Sequence, residues 1–134
     1  MSRKMEYTGR YSLSRFEFGY AKWYSLKYNE WLEEYNNLKN SVSGVRYQEA
    51  VQGGKDGKPT EQLAVRREEL RRKMLKVERA AWEAGGDIAK YIFIAVTNED
   101  VTFRVLKQKY GMPCESTYFY DKRRKYYYLL SKEI

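Results

Sequence analysis

The stretch AKWYSLKYNEWLEEYNNLKNSV, residues 21–42, decides the fold. Its apolar residues recur in alternating steps of three and four, which is the spacing of a helix that buries one side. The residues of this seam are Ala21, Tyr24, Tyr28, Trp31, Tyr35, Leu38 and Val42. The pattern therefore predicts a long amphipathic helix whose buried side is mostly aromatic.

A second long helix is predicted from Pro59 to the pair Gly85-Gly86, since paired glycines favour a helix end. Arg67 occupies a position of its seam where an apolar residue is expected. The other seam residues are Leu63, Leu70, Met74, Val77, Ala81 and Ala84. Residues 43–60 hold four of the nine glycines and predict a flexible loop. Residues 21–85 should therefore form an antiparallel helical hairpin.

The rest of the chain completes an all-α fold with a single domain over residues 1–134. Residues 1–20 predict an N-terminal arm or a short strand. Asp87 is a candidate N-cap for the apolar segment IAKYIFIAV, which predicts a short buried helix. That helix opens a helical bundle over residues 87–134.

Composition limits the classes of function. The 134 residues include 14 tyrosines, no histidine and one cysteine, and they carry a net charge of +8. Histidine-dependent catalytic triads and dyads and common zinc sites are therefore excluded, and we predict no enzyme activity, no metal site and no cofactor. No apolar run reaches the roughly 18 residues of a membrane span. We expect an intracellular protein that does not enter a membrane.

Residues 102–131 have the spacing of a helix-turn-helix. Thr102 can cap a first short helix, Gly111 can adopt the left-handed conformation of a turn, and Pro113 prevents simple continuation. Ser116, or Cys114 before it, would open a final basic helix. Such a second helix enters the major groove of DNA in proteins of this type.

The final helix contains the segment YFYDKRRKYYYLL, residues 118–130. Helical spacing places Phe119 or Tyr120, Tyr126 or Tyr127, and Leu130 on an inward stripe, with Lys122, Arg123 and Lys125 around the rest of the helix. Residues of the first turn would reach base edges, and basic residues would neutralise phosphates. The candidate DNA-binding residues are Lys107, Ser116, Thr117, Tyr118, Lys122, Arg123, Arg124 and Lys125. The alternative is a core helix whose basic side faces only water.

Three blocks together resemble small proteins encoded by phages and prophages of Gram-positive bacteria. They are YNEWLEEYNNLKNSV, AWEAGGDIAKYIFIAVT and VTFRVLKQKYGMPCESTYFYDKRRKYYYLLS. Those proteins are grouped with late-gene transcriptional regulators of the ArpU and RinA kind, whose C-terminal part resembles region 4 of sigma factors. The resemblance implies a turn at residues 111–113 and a DNA-reading helix that begins near Ser116. Thr117 stands where the sigma-like pattern has an aliphatic residue, which implies a longer turn.

These observations predict a phage-encoded, DNA-binding transcriptional regulator in the cytoplasm of a bacterial host. Duplex DNA is the expected partner. RNA polymerase or a host defence protein is a further candidate, and the hairpin could form a homodimer. Two alternatives stay open, namely an inhibitor of a host nucleic-acid-dependent defence nuclease, comparable to an anti-CRISPR protein, and a structural or assembly protein of the phage.

Overall fold

The computed structural model describes residues 11–38 and 58–134, and every regular element in these ranges is helical. The helices are α1 (Arg15–Leu26), α2 (residues 28–38), α3 (Lys58–Gly85), α4 (Ala89–Thr97), α5 (Phe103–Lys109) and α6 (Ser116–Ser131). A 3₁₀ turn at Gly86–Ile88 joins α3 to α4. The predicted all-α fold is confirmed.

The chain divides into two compact units. One contains Met1–Tyr28 and Lys76–Ile134, and the other contains Asn29–Leu75. The single domain over residues 1–134 stays a prediction.

Helix α1 begins earlier than the seam pattern predicted. The Glu17 N–H donates a hydrogen bond of 3.1 Å to the Ser14 hydroxyl, and the Ser14 N–H donates one of 2.9 Å to the Glu17 carboxylate. This reciprocal capping box starts the helix at Arg15. The prediction of an arm over residues 1–20 is therefore wrong from Arg15 onward, because Ser14-x-x-Glu17 is a helix-start signal. Residues 1–10 lie outside the described part of the chain.

The helix predicted over residues 21–42 is divided at Lys27. The Lys27 N–H donates to the carbonyls of Trp23 (3.1 Å) and Tyr24 (3.2 Å), which ends α1 at Leu26, and α2 starts at residue 28. The first four seam positions are buried on both sides of the break: Ala21, Tyr24, Tyr28 and Trp31. The apolar spacing therefore identified the buried side correctly and missed the interruption. Residues 39–42 are not among those described.

Helix α3 extends from Lys58 to Gly85, so the last residues of the loop predicted at 43–60 are helical. The other residues of that loop lie outside the described ranges. Gly86 has a φ of 57°, in the left-handed region that glycine adopts without strain. The glycine pair ends α3, as the sequence predicted.

The first unit is held together by aromatic packing among α1, the first residue of α2, α4 and α6. The rings of Phe18 and Tyr127 meet edge to face with centroids 5.1 Å apart, and those of Tyr28 and Phe93 do so at 4.9 Å. Such pairs contribute about 0.5–1.5 kcal/mol each beyond the area they bury. The Tyr28 hydroxyl donates a hydrogen bond of 2.5 Å to Glu78. Tyrosine rings thus form much of this core while their hydroxyls find polar partners.

The second unit contains residues 29–38 of α2 and residues 58–75 of α3. The Arg66 guanidinium makes two hydrogen bonds to Glu34, of 2.7 and 3.0 Å. Arg67 places its guanidinium carbon 4.5 Å from the centre of the Tyr35 ring and donates to its hydroxyl at 2.9 Å. This contact explains how a cation fits at an apolar position of the seam. The connection between the two helices is outside the described residues, so the hairpin stays a prediction.

Candidate nucleic-acid interface

An ordered turn joins α5 to α6. The Thr102 side chain accepts a hydrogen bond of 3.3 Å from the Val105 N–H and caps α5, as predicted. Gly111 has a φ of 66°, and the N–H groups of Tyr110 and Met112 both donate to the Leu106 carbonyl, at 3.2 and 3.1 Å. The Met112 side chain is buried. The glycine therefore reverses the chain and directs the next residue into the core.

Helix α6 begins at Ser116, the first of the two predicted starts, and Glu115 is its N-cap. The ring centroids of Phe103 and Phe119 are 5.6 Å apart, and those of Phe103 and Tyr120 are 6.0 Å apart. These contacts hold the first turn of α5 against the first turns of α6. Two helices, a glycine turn and an aromatic contact between them are the local parts that the predicted helix-turn-helix requires.

The inward side of α6 is formed by Phe119, Tyr126, Tyr127 and Leu130, all buried. The structure thus selects Phe119 over Tyr120 and includes both Tyr126 and Tyr127. Burial raises the pKa of Tyr127 to about 12. This side of α6 is a core surface with no room for a nucleic acid.

Arg123 lies on the same side as these buried residues. Its guanidinium carbon is 4.9 Å from the centre of the Tyr120 ring, and its side chain lines a cavity of about 150 Å³ together with Leu26 and Val96. The Arg123 Nε is buried and has no hydrogen-bond partner among the described residues. The prediction that Arg123 points away from the inward stripe is wrong. It follows Phe119 by four residues and precedes Tyr127 by four, so helical geometry aligns all three.

The outward side of α6 carries Thr117, Asp121, Arg124 and Lys125. Asp121 follows Thr117 by four residues and precedes Arg124 and Lys125 by three and four, which are helical contact spacings. An Arg124 Nη donates to the Asp121 carboxylate at 3.0 Å. Pairs of this kind on a helix surface contribute only about 0.3–0.5 kcal/mol. Thr117, Arg124 and Lys125 are therefore the candidate residues best placed to meet a ligand together.

Tyr118 and Lys122 occupy one flank of α6. The Tyr118 hydroxyl donates a hydrogen bond of 2.6 Å to Asp87, which raises the pKa of the tyrosine. The Lys122 Nζ lies 5.1 Å from the centre of the Tyr118 ring. The prediction that Asp87 is the N-cap of α4 is wrong. The 3₁₀ turn at Gly86–Ile88 precedes α4, and Ile88 is the N-cap. No local signal in the sequence indicates that Asp87 instead orients Tyr118.

The Lys107 side chain on α5 contacts the turn that precedes α6. Its Nζ donates a hydrogen bond of 3.1 Å to the Cys114 carbonyl, and its side chain is exposed. The thiol of Cys114 is half-buried, and burial raises its pKa. Because the thiolate is the reactive form, the raised pKa makes this thiol less reactive. Lys107 thus links the end of α5 to the segment that precedes α6.

The exposed candidates are Lys107, Ser116, Thr117 and Tyr118, while Lys122, Arg124 and Lys125 are half-exposed. Within the described ranges, no three acidic or cysteine side chains gather where they could hold a metal ion. Nor do those ranges contain a helix long and apolar enough to span a membrane.

Comparisons with protein-family models, curated proteins and solved structures returned no match. The resemblance to phage late-gene regulators therefore stays a prediction from the quoted blocks.

Proposed function

We propose that this protein binds duplex DNA through the α5–turn–α6 segment and acts as a transcriptional regulator, of the phage-encoded kind that the sequence resembles. The observation that carries the proposal is the common outward face of Thr117, Arg124 and Lys125 on a helix that follows a glycine-closed turn. This is the arrangement in which a second helix lies in the major groove.

Within this proposal, Ser116 and Thr117 are the base-reading candidates because they are exposed in the first turn of α6. Hydroxyl side chains can contact several bases, and Arg124 would contact the phosphate backbone. Lys125 and Lys107 would contact phosphates, Lys107 from α5 and Lys125 from the outward side of α6. Tyr118, tied to Asp87, and Arg123, at the cavity, would act by positioning α6.

The proposal is supported by the distribution of charge. Residues 101–134 hold eight basic and three acidic side chains, which is five of the eight net positive charges. A basic surface attracts a polyanion and makes its affinity sensitive to salt. This charge is concentrated in the part of the chain that forms the helix-turn-helix.

Fluorescence anisotropy with labelled duplexes tests the proposal. A library of randomised duplexes is first enriched on the immobilised protein, and the selected sequence is then compared with a scrambled duplex of the same composition. We expect affinity that falls linearly with log salt concentration, with a slope of about −0.9 per phosphate contact. The selected sequence should bind at least about a thousandfold more tightly than the scrambled one. Equal affinity for both duplexes at every salt concentration would contradict sequence-specific regulation.

A further inference from the structure

Helix α1 exposes an aromatic face outside the helix-turn-helix. Phe16 is 82% exposed, Tyr20 51% and Trp23 53%. Spacings of four and three residues place all three on one side of the helix. The opposite side buries Ala21, Tyr24 and Ser25 in the core. Tyr20 also meets the buried Tyr24 edge to face, with ring centroids 6.2 Å apart, and the three exposed rings together form an unusual apolar surface.

The rings of Tyr20 and Trp23 are nearly parallel. Their planes differ by 13° and their centroids are 6.0 Å apart. Aromatic pairs interact over about 4.5–7 Å, so this pair lies toward the wide end of that range. A centroid distance of this size between nearly parallel rings is typical of an offset stack. The two rings therefore present a flat aromatic surface on which a further planar group can stack.

Cations border this pair of rings. The Lys27 Nζ lies 5.8 Å from the centre of the Trp23 ring. Arg15 and Lys22 are exposed on one flank of the same face. The single acidic residue of α1, Glu17, lies on the other flank and is bonded to Ser14 in the capping box. A ligand of this face therefore meets aromatic rings and positive charge together.

We propose that the α1 face binds single-stranded nucleic acid, with one unpaired base stacked on the aromatic surface of Tyr20 and Trp23 and the adjoining phosphates at Lys27 and Lys22. Stacking on aromatic rings next to basic side chains is how proteins hold unpaired strands. Phe16, further along the same face, extends the stacking surface to a neighbouring base. The site is separate from the outward face of α6 and does not depend on the proposed duplex binding.

Trp82 provides a matched control for Trp23. It is 61% exposed, it lies on α3, and no aromatic ring or cation is paired with it in the described part of the chain. Trp23→Ala and Trp82→Ala remove the same side chain from similarly exposed helix positions. Only Trp23→Ala removes a ring of the proposed stacking surface.

The experiment measures binding of fluorescein-labelled oligothymidylate and oligouridylate, each of about twelve nucleotides, by anisotropy at low salt. We expect the full chain to bind, Trp23→Ala and Tyr20→Ala each to weaken binding by about tenfold or more, and Trp82→Ala to leave it unchanged. Trp23→Phe should restore most of the affinity because it keeps a ring. A difference between the two probes would identify DNA or RNA as the preferred strand.

Circular dichroism of each variant checks that the helices are retained. The proposal is overturned if neither oligonucleotide binds, or if Trp23→Ala and Trp82→Ala weaken binding equally. It is also overturned if light scattering finds dimers that Trp23→Ala abolishes, since the face would then be an interface between copies of the chain. Loss of duplex binding in α6 variants, with oligothymidylate binding intact, would leave the proposal standing.

Discussion

The Ser25 hydroxyl of α1 and the Tyr126 hydroxyl of α6 are hydrogen-bonded at 2.7 Å, across 101 residues of sequence. Both side chains are fully buried. The Ser25 hydroxyl has one proton and donates it to the Ala21 carbonyl at 2.8 Å, so Tyr126 is the donor to Ser25. This bond links the helix with the exposed aromatic face to the helix with the basic outward face.

The two partners of this bond should differ in their effect on stability. Ser25→Ala leaves the Tyr126 hydroxyl buried without an acceptor, which costs about 1–3 kcal/mol. Tyr126→Phe removes the donor and leaves Ser25 bonded to Ala21, so it should cost only about 1 kcal/mol. Urea unfolding should show the serine variant to be the less stable, with the double variant close to Tyr126→Phe. The opposite order would mean that Ser25 is the donor.

Reversing the charge of two adjacent arginines should have unequal effects on the fold. Arg123→Glu places a carboxylate at the cavity beside Leu26 and Val96, and we expect a loss of about 1–3 kcal/mol of unfolding free energy. Arg124→Glu changes an outward position and should cost less than about 0.5 kcal/mol. The measurement is the urea midpoint of each single variant. Equal midpoints would show that Arg123 is not constrained by the core.

Two glycines provide another matched pair. Gly111 has a φ of 66°, so Gly111→Ala should destabilise the protein by about 1–2 kcal/mol. Gly19 lies within α1, and a Cβ there would meet no atom within 4 Å, so Gly19→Ala should stabilise it by up to about 1 kcal/mol. Thermal unfolding followed by circular dichroism gives the sign of each change. A neutral Gly111→Ala would argue against a fixed turn before α6.

Stability should fall in alkaline solution. Burial raises the pKa of Tyr24 and of Tyr127 to about 12, whereas tyrosine in an unfolded chain has a pKa of about 10. The folded state therefore binds more protons than the unfolded state in this window, and its stability decreases as pH rises from about 10 to about 12. Urea midpoints across this range, with tyrosinate absorbance recorded in parallel, provide the measurement. Ionisation of every tyrosine near pH 10 with full helix content would contradict the buried positions of these rings.

Local signals predicted the individual elements of the α5–turn–α6 segment well. Thr102, Gly111 and Ser116 each act within a few residues of their own position, so sequence alone identified the cap, the turn and the start of α6. The capping box at Ser14 and Glu17 was equally local and was missed, because residues 1–20 were predicted to form an arm or a short strand. Helical spacing could also have predicted the orientation of Arg123, because it lies four residues from both Phe119 and Tyr127.

Other features depend on contacts between distant residues. Nothing near Ser25 identifies Tyr126 as its partner, and nothing near Tyr118 identifies Asp87. The exposed aromatic face of α1 was likewise hidden, because the seam pattern did not distinguish rings that pack in the core from rings that remain exposed. Such features require the tertiary structure.

The most direct test of DNA binding through α6 compares two double charge reversals. Arg124→Glu with Lys125→Glu changes the outward face of α6, and Lys76→Glu with Arg79→Glu changes α3. Both lower the net charge equally, so anisotropy on the selected duplex separates a local effect from a general one. We predict that the α6 variant loses at least about tenfold in affinity and about two units of salt slope, while the α3 variant binds nearly as the parent does. Equal losses in both variants, or no loss in the α6 variant, would contradict binding through this helix.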